Sequence, residues 1–278
     1  MTIEGKVQIV TGGTSGMGLS TAKALGQYGK VLVGGRSEKR IAEALDILKA
    51  DGIDVYGMSV DISDRASVQE FAKYATMLGE VGCVANAAGV FSDTASIDMI
   101  RDINVGGTIN VTEEFLPVMQ DGVLVLFSSV TGYFYQPGPE ELAVWANAVG
   151  DGFAEKWKQA VVIPEGLTRE HLDPAFPYYA SSKRFVMYYA MENAKRFADK
   201  GNRVFSVAPG SYDTPMFRSG NSTAEMIVDG IACHRVGDPD EMGCLVAQLA
   251  GPCHDYLTGV DVLMDGGMLA MASAPQLK

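Results

Sequence analysis

The stretch KVQIVTGGTSGMG, residues 6–18, places an apolar, β-branched run directly before a glycine-rich turn. The next residues, STAKALGQYG at 20–29, have a helical pattern, so the turn joins a strand to a helix. Glycines at such a junction let the backbone bend sharply and approach a pyrophosphate, while the helix N-terminus offers N–H groups to phosphates. The spacing Gly12-x-x-x-Gly16-x-Gly18 is looser than Gly-x-Gly-x-x-Gly. No Gly-Lys-Ser/Thr follows, which disfavours a nucleotide-hydrolysing phosphate loop.

The same strand–helix alternation continues along the chain and predicts the fold class. The further apolar runs, each followed by a turn or a helical pattern, are KVLVGGR at 30–36, DVYGMSV at 54–60, VGCVANAAG at 81–89, GVLVLFSS at 122–129 and RVFSVAPG at 203–210. Strands that alternate with helices through short loops imply right-handed crossovers and a parallel sheet covered on both faces. We therefore predict an α/β, Rossmann-type doubly wound parallel sheet, with residues 1–278 forming a single domain whose glycine turn suits a dinucleotide.

Composition excludes several classes of protein. The chain has 278 residues, 47% of them hydrophobic, and a formal net charge of -12, which argues against broad binding to nucleic acid or to an anionic membrane. No apolar run is long enough to span a bilayer, and the first residues lack the pattern of a secretory signal. The four cysteines show no Cys-x-x-Cys spacing and are expected to be reduced thiols, so we predict a cytoplasmic protein.

One region, residues 133–177, interrupts the rhythm, because connections of this length are uncommon in a compact domain. An apolar helical stripe runs through it, and Gly150 and Gly152 are expected to divide this helical insert into two helices. The stripe consists of Leu142, Trp145, Val149, Phe153 and Trp157. Two interpretations remain open: packing against the domain or a partner subunit, or a wall over a bulky apolar substrate.

Seven motifs, in the same order, resemble those of the short-chain dehydrogenase/reductase family. They are TGGTSGMG at 11–18, NAAG at 86–89, IN at 103–104, SSVTG at 128–132, YASSK at 179–183, PGSYDTPM at 209–216 and YLTGVDVLMDGG at 256–267. The resemblance covers nearly the whole chain and implies an oxidoreductase that interconverts a secondary alcohol and a ketone with NAD(P). NAAG departs mildly from the family's paired asparagines, and the 133–177 insert is a larger departure.

The segment FPYYASSKRF, residues 176–185, holds the predicted proton-transfer site. Tyr179 and Lys183 are four residues apart and therefore neighbours on one helix face, whereas Tyr178 lacks that spacing and is assigned to packing. A nearby ammonium favours phenolate, so we expect Lys183 to lower the pKa of Tyr179. Ser129 follows an apolar strand and can hydrogen-bond the substrate oxygen. The resemblance assigns that role to Ser129 rather than Ser128, and adds Asn104 as the residue that keeps a water linked to the lysine.

The cofactor-binding residues follow from the glycine turn and from the resemblance. An NAD-preferring site usually has an acidic residue at the end of the second strand, where this chain has Gly35 followed by Arg36. A guanidinium suits a 2′-phosphate, so NADP is preferred and NAD is the alternative. The predicted cofactor contacts are Gly12, Thr14, Ser15, Gly16, Met17, Gly18, Arg36, Ser37, Asp61, Ile62, Asn86, Gly89, Tyr179, Lys183, Pro209, Gly210 and Thr214.

The substrate is expected to be a bulky apolar alcohol or ketone, such as a hydroxysteroid. The resemblance makes residues 214–236 the variable substrate loop, and the insert is similar to that of bacterial hydroxysteroid dehydrogenases and carbonyl reductases. Apolar side chains for such a pocket are Phe134, Trp145, Phe153, Trp157, Met216, Phe217, Met226 and Ile227. The alternatives are a 3-oxoacyl thioester reductase, which would want a basic docking face, and a catalytically silent nucleotide-binding regulator.

Two further expectations concern metals and assembly. His171, His234 and His254 are scattered and fit no recognised zinc spacing, so no metal site is predicted. The sequence has no Gly-x-Ser-x-Gly elbow, the motif that would indicate a hydrolase. The helix after Tyr179 is apolar on more than one face. In the family the matching helix joins subunits, so we predict a homodimer or homotetramer.

Overall fold

The glycine turn connects the first strand of a seven-stranded sheet to the first helix. This computed structural model describes residues 2–150, 152–163, 173–220 and 223–273. Every neighbouring pair of strands in the sheet is parallel. The strands are β1 (Val7–Thr11), β2 (Val31–Gly35), β3 (Val55–Ser59), β4 (Val81–Asn86), β5 (Met119–Phe127), β6 (Arg203–Pro209) and β7 (Asp261–Met264).

Helices cover both faces of this sheet, as crossover connections between parallel strands require. The first five are α1 (Gly16–Leu25), α2 (Glu38–Ala50), α3 (Arg65–Leu78), α4 (Ile97–Met99) and α5 (Gly107–Phe115). The others are α6 (Pro139–Trp145), α7 (Phe153–Ala160), α8 (Phe176–Ala198), α9 (Pro215–Arg218), α10 (Ala224–Ile227), α11 (Pro239–Ala250) and α12 (Met268–Ser273). A π-helical segment, Ile100–Gly106, precedes α5, and a 3-10 turn, Val130–Phe134, follows β5.

The strand order β3-β2-β1-β4-β5-β6-β7 confirms the doubly wound Rossmann prediction. The chain moves outward from β1 to β3, then returns and places β4 on the other side of β1. At this reversal the connections after β1 and β4 leave in opposite directions, which opens a crevice at the carboxyl ends of the strands. Ligands of open parallel sheets bind in that crevice, so the topology alone locates the site.

The part of the insert between Pro139 and Val161, apart from residue 151, contains two helices, as its glycines predicted. α6 ends at Trp145, and α7 begins at Phe153 after Gly152, whose φ of 71° lies in the left-handed region that favours glycine. Leu142 and Val149 of the predicted stripe are exposed, while its three aromatic residues are buried. The apolar stripe therefore divides between surface and core.

The buried aromatic residues of the insert pack against α8 and not around a pocket. Trp145 and Phe153 lie 5.7 and 5.5 Å from Phe185, ring centroid to ring centroid, and Trp157 lies 6.1 Å from Tyr178. The expectation that Trp145, Phe153 and Trp157 would face the substrate is therefore wrong. Packing against the domain is the interpretation that the structure supports. These rings bury more apolar surface against α8 than they could along an open cleft.

A buried carboxyl group completes the contact between the insert and α8. Glu141 is fully buried and accepts hydrogen bonds from Tyr135 Oη at 2.6 Å and from Ser181 Oγ, a residue of α8. The indole N–H of Trp157 donates to the same Ser181 hydroxyl at 3.1 Å. Burial raises the pKa of Glu141, and its two hydrogen bonds oppose that rise. This network joins α6, α7 and α8 through polar groups that water cannot reach.

Replacing Glu141 by alanine should destabilise the fold, because it leaves two buried hydroxyl donors without their acceptor. The expected loss in the free energy of unfolding is about 2–5 kcal/mol. Urea unfolding at neutral pH, followed by tryptophan fluorescence, measures it. Glu140→Ala is the matched control, since the adjacent Glu140 is exposed. Equal midpoints for the two variants would show that the Glu141 network does not stabilise the fold.

Candidate active site

A cavity of about 520 Å³ lies at the crevice beside β1 and β4. It contains most of the predicted cofactor contacts, brought together from five separate loops. These residues are Gly12, Thr14, Ser15, Gly16, Met17, Gly18, Arg36, Ser37, Asp61, Ile62, Gly89 and Thr214. The cavity is long enough to run from the second strand to the substrate loop, as an extended dinucleotide requires.

The glycine turn forms one wall of the cavity, and its shape depends on missing side chains. Gly12 has a φ of 68°, and a Cβ there would lie 2.6 Å from the backbone nitrogen of Ala88. A Cβ on Gly18 would lie 2.2 Å from the carbonyl oxygen of Gly12. Both positions therefore exclude any other residue, and at Gly12 this brings the loops after β1 and β4 into direct backbone contact. This close approach fits a cradle for a pyrophosphate.

The N-terminus of α1 lies in the same turn and receives no capping hydrogen bond from its N-cap side chain. Ser15 is the N-cap residue, yet its side chain makes no capping hydrogen bond. The first N–H groups of a helix have no partner within the helix and carry partial positive charge. A phosphate bound here would satisfy them.

Five predicted cofactor contacts do not line the cavity, namely Asn86, Pro209 and Gly210 at the strand ends and Tyr179 and Lys183 on α8. Asn86 is buried at the end of β4 and accepts a hydrogen bond from Thr11 Oγ1 at 2.6 Å, which ties β4 to β1. Pro209 ends β6, and Gly210 packs against the backbone of Asp265. These residues shape the strand ends that carry the site.

Sequence reasoning missed other residues of the cavity wall. Most of them present backbone or apolar surface that no motif marks: Gly35, Val60, Ala87, Ala88, Val90, Thr94, Ile103, Phe127, Pro215, Met216 and Ser219. Met216 had been assigned to the substrate pocket only. Arg40 is the charged residue that was missed, although a second arginine in the run RSEKR was a signal that could have found it.

The end of the cavity near β2 carries two guanidinium groups and no carboxylate from that strand. Arg36 and Arg40 both line it, and within the described residues neither has an acidic partner. A Cβ on Gly35 would lie 2.9 Å from Thr14 Cγ2, so the glycine turn itself leaves little room for an acidic side chain at position 35. Arg40 stands in the first turn of α2, where a cation is disfavoured unless an anion binds nearby.

Tyr179 stands on α8 as a buried phenol. The ring of Phe91 meets it edge-on with centroids 4.9 Å apart. Burial raises the pKa of Tyr179 to about 12, and the Ser129 hydroxyl opposes this rise. The phenol therefore keeps its proton at neutral pH.

Lys183 is also buried and lies one helical turn from Tyr179. Its Nζ is 5.8 Å from the centre of the Tyr179 ring and donates to the carbonyl oxygen of Phe127 at 2.9 Å. A Cβ on Gly89 would lie 3.5 Å from this Nζ, which places the ammonium next to a residue that lines the cavity. Burial lowers the pKa of Lys183 to about 8.

The expectation that Lys183 would lower the pKa of Tyr179 is wrong for this structure. Both groups are removed from water, and desolvation disfavours phenolate and ammonium alike. Each pKa therefore moves toward the neutral form, upward for the tyrosine and downward for the lysine. Spacing along a helix reveals that two groups are neighbours, but it does not reveal how much water surrounds them.

Ser129 and Ser128, adjacent in sequence, have different surroundings. Ser129 is the N-cap of the 3-10 turn and its Oγ accepts from the N–H of Thr131 at 3.2 Å. It lies close enough to Tyr179 to affect the phenol's pKa. The Ser128 hydroxyl is instead bound to Asp261 at 2.6 Å, away from the phenol. These contacts agree with the choice of Ser129 as the site residue.

Asn104 lies in the π-helical segment, and its side chain holds the loop after NAAG. Its Oδ1 accepts from the N–H of Val90 at 2.8 Å, and its Nδ2 donates to the carbonyl oxygen of Val90 at 3.0 Å. The same Nδ2 donates to Ser182 Oγ at 3.2 Å. π-Helical segments often occur at functional sites, and this one brings the asparagine between the cavity loop and α8.

Other expectations are partly answered by the described residues. Phe134 and Met226 are exposed, and Phe217 and Ile227 are half-buried outside the cavity lining. In the described ranges, no three His, Cys, Asp or Glu side chains converge on a point where a metal ion could bind. His171 lies outside those ranges. No described helix has the length and apolar character needed to cross a membrane.

Comparison with known proteins assigns the chain to a family. Residues 6–140 match the family described as short chain dehydrogenase, and residues 146–269 match the one described as enoyl-(acyl carrier protein) reductase. A short-chain dehydrogenase/reductase from Alternaria brassicicola is 31% identical over 270 residues, which cover 94% of this chain and 95% of the relative. A 3-oxoacyl-[acyl-carrier-protein] reductase from Thermotoga maritima is 27% identical, in a match that covers 97% of this chain and 100% of the relative.

The fold is shared with solved structures. A short chain dehydrogenase from Burkholderia cenocepacia, determined in complex with NADP, superposes with a TM-score of 0.76 at 22% identity. The match covers 97% of this chain and 100% of that one. With the parallel sheet, the glycine turn and the relative from Alternaria, this likeness leads to one conclusion. The chain belongs to the short-chain dehydrogenase/reductase family, whose members are oxidoreductases that act on CH–OH donors with NAD(P).

Proposed function

We propose that this protein interconverts a secondary alcohol and a ketone with NADP(H), and that Tyr179 supplies the transferable proton. The observation that carries the proposal is a buried, protonated phenol beside Ser129 and Lys183, where the Lys183 ammonium lies next to Gly89 of a cavity that also carries two guanidinium groups. Only the groups near Tyr179 can act on a substrate, and the rest of the cavity fits the cofactor.

The side chains divide the work of ketone reduction as follows. The nicotinamide cofactor supplies a hydride to the carbonyl carbon when it is bound. Tyr179 donates its proton to the oxygen that becomes an alkoxide, because its raised pKa keeps the phenol protonated at neutral pH. Ser129 donates a hydrogen bond to the same oxygen. Lys183, whose pKa is about 8, is mostly charged at neutral pH and can bind a ribose hydroxyl.

Tyr179→Phe should lower turnover by about 10²–10⁴-fold, since it removes the proton donor and little else. NADPH binding, followed by the fluorescence of the reduced nicotinamide, should stay within about twofold of wild type, because the phenylalanine fills the same space. Tyr178→Phe is the matched control, as Tyr178 packs on Trp157 and has no lysine partner. Near-normal turnover of Tyr179→Phe would remove this residue from the mechanism.

The preference for NADP rests on Arg36 and Arg40 at the cavity wall. A 2′-phosphate is a dianion that a planar guanidinium can bind in bidentate fashion, whereas a bare ribose hydroxyl gains little from two cations. Gly35 stands where an NAD-binding site would have its carboxylate. The Burkholderia relative in complex with NADP supports the same choice.

Arg36→Ala should reduce kcat/KM for NADPH by about 10- to 100-fold and change that for NADH much less, because a charge-assisted hydrogen bond contributes about 1.5–3 kcal/mol. Nicotinamide absorbance with both cofactors measures the ratio. Lys39→Ala controls for net charge, since Lys39 lies between the two arginines and does not line the cavity. A wild-type enzyme that strongly prefers NADH would contradict the assignment.

The proposed substrate is a bulky apolar ketone or alcohol, with a hydroxysteroid as the leading example. Phe91 covers the edge of Tyr179, and Met216 brings an apolar side chain from the substrate loop to the cavity. A large apolar ring system can gain contact with both. The name of the Thermotoga relative favours the second candidate, a 3-oxoacyl thioester reductase. The net charge of -12 disfavours an acidic carrier protein as its partner.

A substrate panel separates these candidates. With NADPH as the reductant, kcat/KM should be higher for steroid ketones than for small linear ketones or a 3-oxoacyl thioester, and absorbance of the reduced cofactor reports each rate. Higher kcat/KM for the thioester would replace the hydroxysteroid by the acyl substrate.

Two further parts of the proposal concern the cell compartment and the oligomeric state. The cysteines form no disulfide, which fits a reducing compartment such as the cytoplasm. The homodimer or homotetramer remains a prediction. One ground for it was that the helix after Tyr179 is apolar on more than one face. Packing within the chain also explains that apolar character, because the insert covers much of the aromatic side of α8.

A further inference from the structure

Asp261, on the edge strand β7, collects hydrogen bonds from three separate parts of the chain. Its Oδ1 accepts from Ser128 Oγ at 2.6 Å, immediately after β5, and from Ser206 Oγ on β6. Its Oδ2 accepts from Tyr133 Oη at 2.9 Å, within the 3-10 turn. Both carboxylate oxygens are therefore occupied, and all three donors are hydroxyl groups.

The donors are committed to this carboxylate. Ser128 and Ser206 are buried, so water does not compete for their hydroxyl groups. The Ser128 hydroxyl also lies 2.9 Å from the carbonyl oxygen of Val207, but it has a single hydrogen, and the shorter bond to a charged acceptor is the stronger one. Burial and the charge of Asp261 raise the pKa of Tyr133, which keeps its phenol a donor.

These bonds hold both ends of the segment that carries Ser129. Ser128 precedes Ser129 directly, and Tyr133 follows four residues later. The segment between them rests on α8 at Gly132, where a Cβ would lie 3.0 Å from the backbone carbonyl carbon of Lys183. The turn is thus held between β7 on one side and the backbone of the catalytic helix on the other. The side chain of Asp261 does not line the cavity itself.

We infer that Asp261 is a positioning residue for the reaction, and that its carboxylate fixes residues 128–133 so that the Ser129 hydroxyl stands beside the Tyr179 phenol. The inference rests on the role proposed above for Ser129. An edge strand gains little packing from a half-buried aspartate, and a buried hydroxyl cluster gains a defined geometry from it. Misplacing a reacting group by about 1 Å can cost about 10²-fold in rate.

Two single variants test the inference. Asp261→Asn keeps the size of the side chain and loses one acceptor, whereas Tyr133→Phe removes the bond to the turn and leaves the two serine bonds in place. Each should lower kcat by about 10- to 100-fold and leave the KM for NADPH within about twofold of wild type. Asp199→Asn is the control for lost charge, because Asp199 is exposed and paired with Lys195. An unchanged kcat in both variants would overturn the inference.

A double-mutant cycle shows whether Asp261 acts through Ser129. In a Ser129→Ala background, Asp261→Asn should cause little further loss of kcat, because the group that it positions is already absent. Full additivity of the two losses would mean that Asp261 supports the fold independently of Ser129, and would also overturn the inference. If Asp261→Asn fails to fold, Tyr133→Phe serves in the same cycle.

Crystal structures of wild type and of Tyr133→Phe give a readout that needs no turnover. The Ser129 hydroxyl should move away from the Tyr179 phenol in the variant, and an unmoved segment 128–133 would refute the positioning role. A wild-type enzyme that reduces no ketone would instead refute the proposed function. The two failures are therefore distinguishable.

Discussion

The desolvation of one phenol and one ammonium on α8 is the constraint on which the rest of this site depends. Tyr179 and Lys183 are both buried, and the cost of burying a charge moves each pKa toward its neutral form. The phenol is thereby an acid that holds its proton until a stronger base appears beside it. The alkoxide formed by hydride transfer is such a base. Lys183, with a pKa of about 8, is mostly protonated at neutral pH, and small changes around it can shift its protonation.

A dry site of this kind needs walls that do not move, and the chain supports α8 from two directions. The insert packs Trp145, Phe153 and Trp157 against one side, and joins it through the buried carboxyl of Glu141. The 3-10 turn after β5 rests on the backbone of Lys183 through Gly132. Aromatic packing and paired buried polar groups both favour a single geometry, since each loses contacts when the helix shifts. Of the two interpretations left open for the insert, packing against the domain is the one that these contacts support.

At the cofactor end of the cavity, close contacts between backbone segments determine the shape of the wall. Gly12 brings the loop after β1 against the backbone of Ala88 in the loop after β4, and Gly18 packs on the carbonyl of Gly12 within the turn. The same crowding reaches Gly35, whose neighbour Thr14 leaves little space for a carboxylate. The two arginines stand just beyond. In the proposed complex, one tight turn would both cradle a pyrophosphate and favour the cofactor with the additional phosphate.

The sequence by itself determined the alternation of the first six strands with helices, the parallel sheet and the places of the glycine turn, Ser129, Tyr179 and Lys183 along these elements, but it did not predict the seventh strand, β7. These features follow from local rules, namely the periodicity of apolar residues, the conformational freedom of glycine and the spacing of residues on a helix. Only the tertiary structure decided which way the pKa of Tyr179 moves, where the aromatic residues of the insert point, that Arg40 lines the cavity, and that Asp261 binds Ser128 and Tyr133. Burial, and contact between residues far apart in the chain, such as Asp261 with Ser128, are properties of the folded packing. No local pattern encodes them, because they depend on which distant surfaces meet.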